Sequence, residues 1–173
     1  MDCFGNAASI ARSHDGSKLF AIAKTSIVIE APVGRVWAIL DDLSLESLQA
    51  WNRNLEAIER PSGNLNHEGH RAITTRTGIG RIQLTTLSRV VDQHIVYHAE
   101  PLDGRSAGFG DFRVEAAGPG CTLVAHSSFT EHRDHDGKTD PAEIRDATLT
   151  SVNILLERLK AFAERGSAIP AKS

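Results

Sequence analysis

The chain has 173 residues, 40% of them apolar and 24% charged, with a net charge of −3. That length suits one domain with a substantial core, and the acidic balance argues against a nucleic-acid surface, which needs a clustered positive field. No apolar run reaches the roughly 18 residues of a membrane helix.

The N-terminus "MDCFGNAASIARSHDG" has no basic start followed by an apolar stretch, so it does not read as a secretory signal. Cys3 and Cys121 lie far apart with no CxxC spacing. The expectation is a cytoplasmic protein with free thiols. Residues 1–23 are read as an irregular extension, 24–166 as the folded domain and 167–173 as a tail.

From Lys24, "KTSIVIEA" alternates as a half-buried strand does. Pro32 is expected at a first helical position, where its missing N–H costs nothing. Val33, Val36, Trp37 and Leu40 follow at helical spacing. Asp41 and Asp42 interrupt, and Ser44 is placed to cap a second short helix carrying Leu45, Leu48 and Trp51 on one face. Six strand-like runs come next, at 55–60, 70–77, 81–91, 94–100, 110–117 and 121–132, separated by Gly, Pro and Asp turns. Their short connections favour an antiparallel meander. "DHDGKTD" at 134–140 reads as a turn rather than a calcium loop, because it lacks a bidentate Glu at the right distance. Asp140-Pro141-Ala142-Glu143 then opens a long helix, with Ile144, Ala147, Thr148, Ser151, Val152, Leu155, Leu159 and Phe162 on one face and Gly166 as the stop. The order implies an α+β domain in which one curved antiparallel sheet grips one long helix.

Alternation assigns the faces of the sheet. The inward sets read as Arg71, Ile73, Thr75 and Thr77; Ile82, Leu84, Thr86 and Ser88; Ile95, Tyr97 and Ala99; Phe112 and Val114; and Leu123, Ala125, Ser127 and Phe129. So many polar groups on one face, with Thr148 and Ser151 facing them from the helix, fit a cavity better than a dry core. A slip of one residue would bring His98, Asp111 or His126 inward instead and make them the acid–base candidates.

The stretch "TSIVIEAPVGRVWAILDDLSLESLQAWNRNLEAIE", followed by "GHRAITT", "SRVVDQHIVYHAE" and "GCTLVAHSSF", resembles the START-related, birch-pollen-allergen-like SRPBCC superfamily of polyketide cyclase/dehydratase type. The resemblance covers residues 24 to 165. It implies a helix-grip fold: a seven-stranded antiparallel sheet around the C-terminal helix, two short helices after the first strand, and an internal cavity. Trp37 would fasten those two helices to the core, and Trp51 would lie near the cavity mouth.

Two functions fit. One is a cofactor-free cyclase, dehydratase or lyase acting on an aromatic or polyketide-like substrate, with Arg71 and Tyr97 as catalytic groups. Trp51, Thr75, Thr86, Ser88, Phe112, Ser127, Phe129, Thr148 and Ser151 would then bind the ligand. The other is a carrier of a hydrophobic small molecule. No metal is expected, since HExxH, CxxC and two-His-plus-carboxylate spacings are missing from the sequence. "GIGRIQ" is not followed by a helix, which argues against a dinucleotide. The expected partner is a hydrophobic or aromatic small molecule, bound by a monomer or homodimer.

Overall fold

The structure, a computed structural model, describes residues 6–52, 54–60, 66–104, 106–133 and 138–165. The elements run β1 Ala7–Arg12, β2 Lys18–Ile29, α1 Val33–Asp41, α2 Leu45–Trp51, β3 Leu55–Glu59, β4 Arg71–Arg76, β5 Gly80–Val90, β6 His94–Pro101, β7 Ser106–Gly118, β8 Cys121–Arg133 and α3 Pro141–Arg165. Among the described residues the strands form one antiparallel sheet of eight, in the order β1-β2-β8-β7-β6-β5-β4-β3.

Two expectations are corrected. The sheet has eight strands rather than seven, and residues 7–12 and 18–23 are strand, not irregular extension. The weakly apolar "AASIAR" hid β1, which is an edge strand and needs only one apolar face. Asp15-Gly16 turns the hairpin between β1 and β2. Asp15 accepts from Ser13 Oγ (2.6 Å), Ser17 N (3.0 Å) and Ser17 Oγ (2.8 Å), while Gly16 takes φ +74°, a left-handed value that glycine adopts freely. Cys3, the 134–137 turn, Gly166 and the 167–173 tail lie outside the described residues, and Cys121 is a half-buried free thiol.

The strand-to-helix break is held from below. Thr122 Oγ1, fully buried, donates to the Ala31 carbonyl at 2.6 Å. Pro32 is the N-cap, extended at ψ 152°, one position before the first helical residue where the sequence placed it. Ser44 caps α2 by accepting from Ser47 N at 3.2 Å. The two helices bury Val36, Trp37, Leu40, Leu48 and Trp51 against Ile29, Ile95, Phe112, Val124, Leu156 and Leu159, which together make one core at that end of the sheet.

Helix α3 lies across β1 and β2. Its polar groups lock the seam: Asn153 Oδ1 accepts from Thr25 Oγ1 (2.8 Å), Glu164 accepts from the Glu30 amide (2.8 Å), and the Ala163 carbonyl accepts from Arg35 Nε (2.8 Å).

Candidate functional site: the cavity between sheet and helix

The Thr25–Asn153 bond fixes which face of the sheet is inside, and the strand register carries that parity across it. Thr25 pairs with His126 and Ala23 with Ser128; Phe112 pairs with His126 and Gly110 with Ser128. Tyr97 pairs with Gly110, Thr86 with Tyr97, and Arg76 with Gly80. These residues share the inner face. Beneath them, closed by α2 and α3, lies a cavity of about 630 Å³, lined among others by Trp51, Thr74, Arg76, Tyr97, Phe112, His126, Ser128 and Leu155. That is the size range of pockets for drug-sized molecules.

Two strands are turned over relative to the sequence reading. On β4, Arg71 is exposed and it and Thr75 lie on the outer face, while Thr74 and Arg76 line the cavity. On β8, Ser127 and the Phe129 ring lie outside, the latter 5.8 Å from Phe20 and 6.1 Å from Phe109. Phe129 borders the cavity because the same strand presents Ser128 and Thr130 inward. A bulge between Thr86 and Ser88 changes parity along β5. Ser88 therefore turns outward, 3.0 Å from His94 Nε2, and Arg89 turns inward.

Thr148 is spent within α3, donating to the Ile144 carbonyl at 2.7 Å, and does not line the cavity. Ser151 lines its exposed rim. Of the three residues that a slip would bring inward, only His126 is inside. Asp111 is on the outer face, ion-paired to Arg113 at 2.9 Å, and His98 is outside, tilted against Phe109 at 4.8 Å.

His126 is 6% exposed and stacks on Phe112 at 4.0 Å. Burial pushes its imidazole down to about 4, outweighing the bond to Asp111 that favours the cation. It is therefore neutral at pH 7. Nδ1 lies 3.1 Å from the Asp111 carbonyl. A carbonyl only accepts, so Nδ1 carries the hydrogen and Nε2 keeps a bare lone pair. The ring fits because position 110 is glycine: a Cβ there would meet His126 Cε1 at 3.2 Å.

Tyr97 has a different polarity. Asn66 Nδ2 donates to its hydroxyl at 3.1 Å and to Asp41 Oδ1 at 3.3 Å, and Asn66 Oδ1 accepts from Thr86 Oγ1 at 2.8 Å. Asp41 is clamped by Arg89 from Nε (2.7 Å) and Nη2, with the Arg89 guanidinium 5.6 Å from the Trp37 ring. Burial, with Asp41 nearby, raises the Tyr97 pKa well above its ordinary value, so the phenol stays protonated. Its oxygen accepts from Asn66 and its proton is left to donate. Thr86, 2% exposed, therefore supports Tyr97 through Asn66 and is not itself in the lining.

Arg76, Asn66, Asp41 and Arg89 were missed. The bulge hid Arg89. Arg76 was hidden because "AITTRT" is about equally apolar on both parities and the choice rested on Ile73. Among the described residues no group of three or more His, Cys, Asp or Glu could hold a metal, and no helix is long and apolar enough to cross a membrane.

The family described as polyketide cyclase / dehydrase and lipid transport matches this chain over residues 21–164. The chain belongs to that family. No curated protein matches it in sequence. Among solved structures, the polyketide cyclase / dehydrase family member is similar to the Zhui aromatase/cyclase from Streptomyces sp. R1128, with a TM-score of 0.69 and 15% identity over 89% of this chain and 99% of that one. It is similar to a START superfamily protein from Mycobacterium smegmatis, with a TM-score of 0.67 and 12% identity over 83% and 97%. An uncharacterized protein from Rhizobium leguminosarum gives 0.62 and 20% over 93% and 99%. At these identities the likeness establishes the fold, which is the helix-grip fold.

Proposed function

We propose that the cavity takes up an aromatic or polyketide-like molecule and catalyses its dehydration or aldol-type cyclisation, using the protein's own side chains as base and hydrogen-bond donor. The observation that carries this reading is the pair flanking Gly110: His126, with a bare Nε2, and Tyr97, a phenol held protonated.

In the dehydration of a β-hydroxy ketone, Nε2 of His126 takes the proton from the carbon between carbonyl and carbinol. The electrons of that C–H bond pass to the carbonyl oxygen, and Tyr97 stabilises the resulting enolate by donating its O–H. The enolate then expels the β-hydroxyl, which takes back the His126 proton and leaves as water. Imidazole and phenol both return to their starting forms. A base as weak as His126 suits a carbon acidified by carbonyls on both sides, as in a poly-β-ketone.

The test uses the aldol adduct of benzaldehyde and acetylacetone, whose reacting carbon lies between two carbonyls and whose dehydration to benzylideneacetylacetone is followed by ultraviolet absorbance. The wild-type protein is expected to accelerate it, and Tyr97→Phe and His126→Asn each to lower kcat by roughly a hundredfold or more. Tight binding of benzylideneacetylacetone with no acceleration would replace the enzyme with a carrier.

A further inference from the structure

Two buried donors of the cavity wall have no partner among the described residues: Nε of Arg76 and Nε1 of Trp51. Both groups can only donate. Arg76 Nη1 is held by Asn52 Oδ1 at 3.2 Å, a neutral acceptor that leaves the charge uncompensated. The described residues lining the cavity include a second guanidinium, Arg158, and no Asp or Glu. A guanidinium cannot shed its charge, and burying it without a counter-charge is costly. A wall with fixed cations and orphaned donors, but no acid, is complementary to an anion.

We propose that the ligand carries a carboxylate, which docks on Arg76 at the α2–β4 end of the cavity. The geometry of the guanidinium favours this class. With Nη1 engaged by Asn52, the free edge is the one containing Nε, whose two parallel N–H groups match the two oxygens of a carboxylate. Near Arg76 the wall combines Leu55, Ile79 and Ile82 with the neutral polar Asn52, Asn54 and Thr74, and the rest of the lining is largely apolar, so the remainder of the ligand is a mainly hydrophobic body. Along the inner face, Arg76 pairs with Gly80 at one end of β5, and Tyr97 pairs with Thr86 beyond Ile82 and Leu84. A carboxylate at Arg76 therefore holds the ligand by one end while its middle or far end reaches Tyr97 and His126. This rests on the cavity being the ligand site and deepens that reading to a class, aromatic or polyketide-like acids.

The test is the affinity of naphthalene carboxylate against its methyl ester, by isothermal titration calorimetry. Wild-type protein is expected to prefer the carboxylate by roughly tenfold or more. Arg76→Met should abolish the preference and leave ester binding in place. Arg76→Lys, which keeps the charge but loses the fork, should retain only part of it. Arg71→Met, on the outer face, and Arg158→Met should keep it. Equal binding of acid and ester by wild type, an undiminished preference in Arg76→Met, or loss of the preference in Arg158→Met alone would overturn the assignment. Thermal midpoints of each variant show that it is folded. Dehydration of the neutral aldol adduct is read on the same samples, so failed chemistry with an intact carboxylate preference sinks the catalytic reading and not this one.

Discussion

Lowering the pH should unfold this protein partly through a single ring. His126 is held neutral by burial, with its pKa near 4, whereas an unfolded histidine titrates near 6.5. Above about pH 6.5 neither state binds the proton, and His126 contributes nothing to the pH dependence. As the pH falls, the unfolded chain takes up the proton first, so stability is lost between about 6.5 and 4 and the loss levels off below that. At about 1.36 kcal/mol per pH unit, the full interval is worth roughly 3 kcal/mol, most of it expressed by pH 4.5. Urea unfolding of wild type and His126→Asn at pH 7 and pH 4.5 isolates this term. The asparagine amide can still donate towards the Asp111 carbonyl, and the carboxylates and other histidines titrate alike in both proteins. The gap between them should shift by roughly 2–3 kcal/mol in favour of the variant on going to pH 4.5. A gap that stays constant would mean that His126 is not held neutral inside the sheet.

Leu159 is fully buried in the core that joins α3 to the sheet, and Leu159→Ala should cost about 2–5 kcal/mol by urea denaturation. Phe162 is only half-buried against that core, so Phe162→Ala should fall below the ~3–5 kcal/mol of a fully buried ring. Arg71→Met, on the exposed outer face, should stay within about 0.5 kcal/mol of wild type in the same assay. Asp41→Asn removes the carboxylate that Arg89 and Asn66 share; it should cost about 1–3 kcal/mol and lower kcat on the aldol adduct by loosening Tyr97.

The fold was legible wherever periodicity was strong. The Ala31-Pro32 break, the Ser44 cap and the Asp140-Pro141 helix start lie within a residue of their expected places. The faces of β6 and β7 were also readable, because Ile95, Tyr97 and Phe112 stand against His94, His98 and Asp111, leaving one apolar parity. β4 and β8 were not. In "CTLVAHSSF" both parities carry comparable apolar area, since Leu123, though on the outer parity, is only 7% exposed. Alternation distinguishes faces only when one of them is wet. The cost fell on the site: Arg71, Thr75 and Ser127 were exchanged for Arg76, Thr74 and His126. The bulge at Thr86/Ser88 left no mark in composition, so neither Ser88 nor Arg89 could be placed by counting.

A small molecule is expected to enter the space between the sheet and α3 and meet Tyr97 and His126 there. A crystal structure of the protein soaked with benzalacetone, an aryl enone of the kind such a dehydration yields, tests that directly. Its carbonyl oxygen should lie within hydrogen-bond distance of the Tyr97 hydroxyl, with the enone beside His126 Nε2 over Gly110 and the phenyl ring against Phe112 or Leu155. A second, surface groove lies on the outside of α1 and α2, lined by Arg35, Ile39, Ser47 and Phe162; benzalacetone bound there, or in the cavity with its carbonyl turned away from both residues, would contradict it.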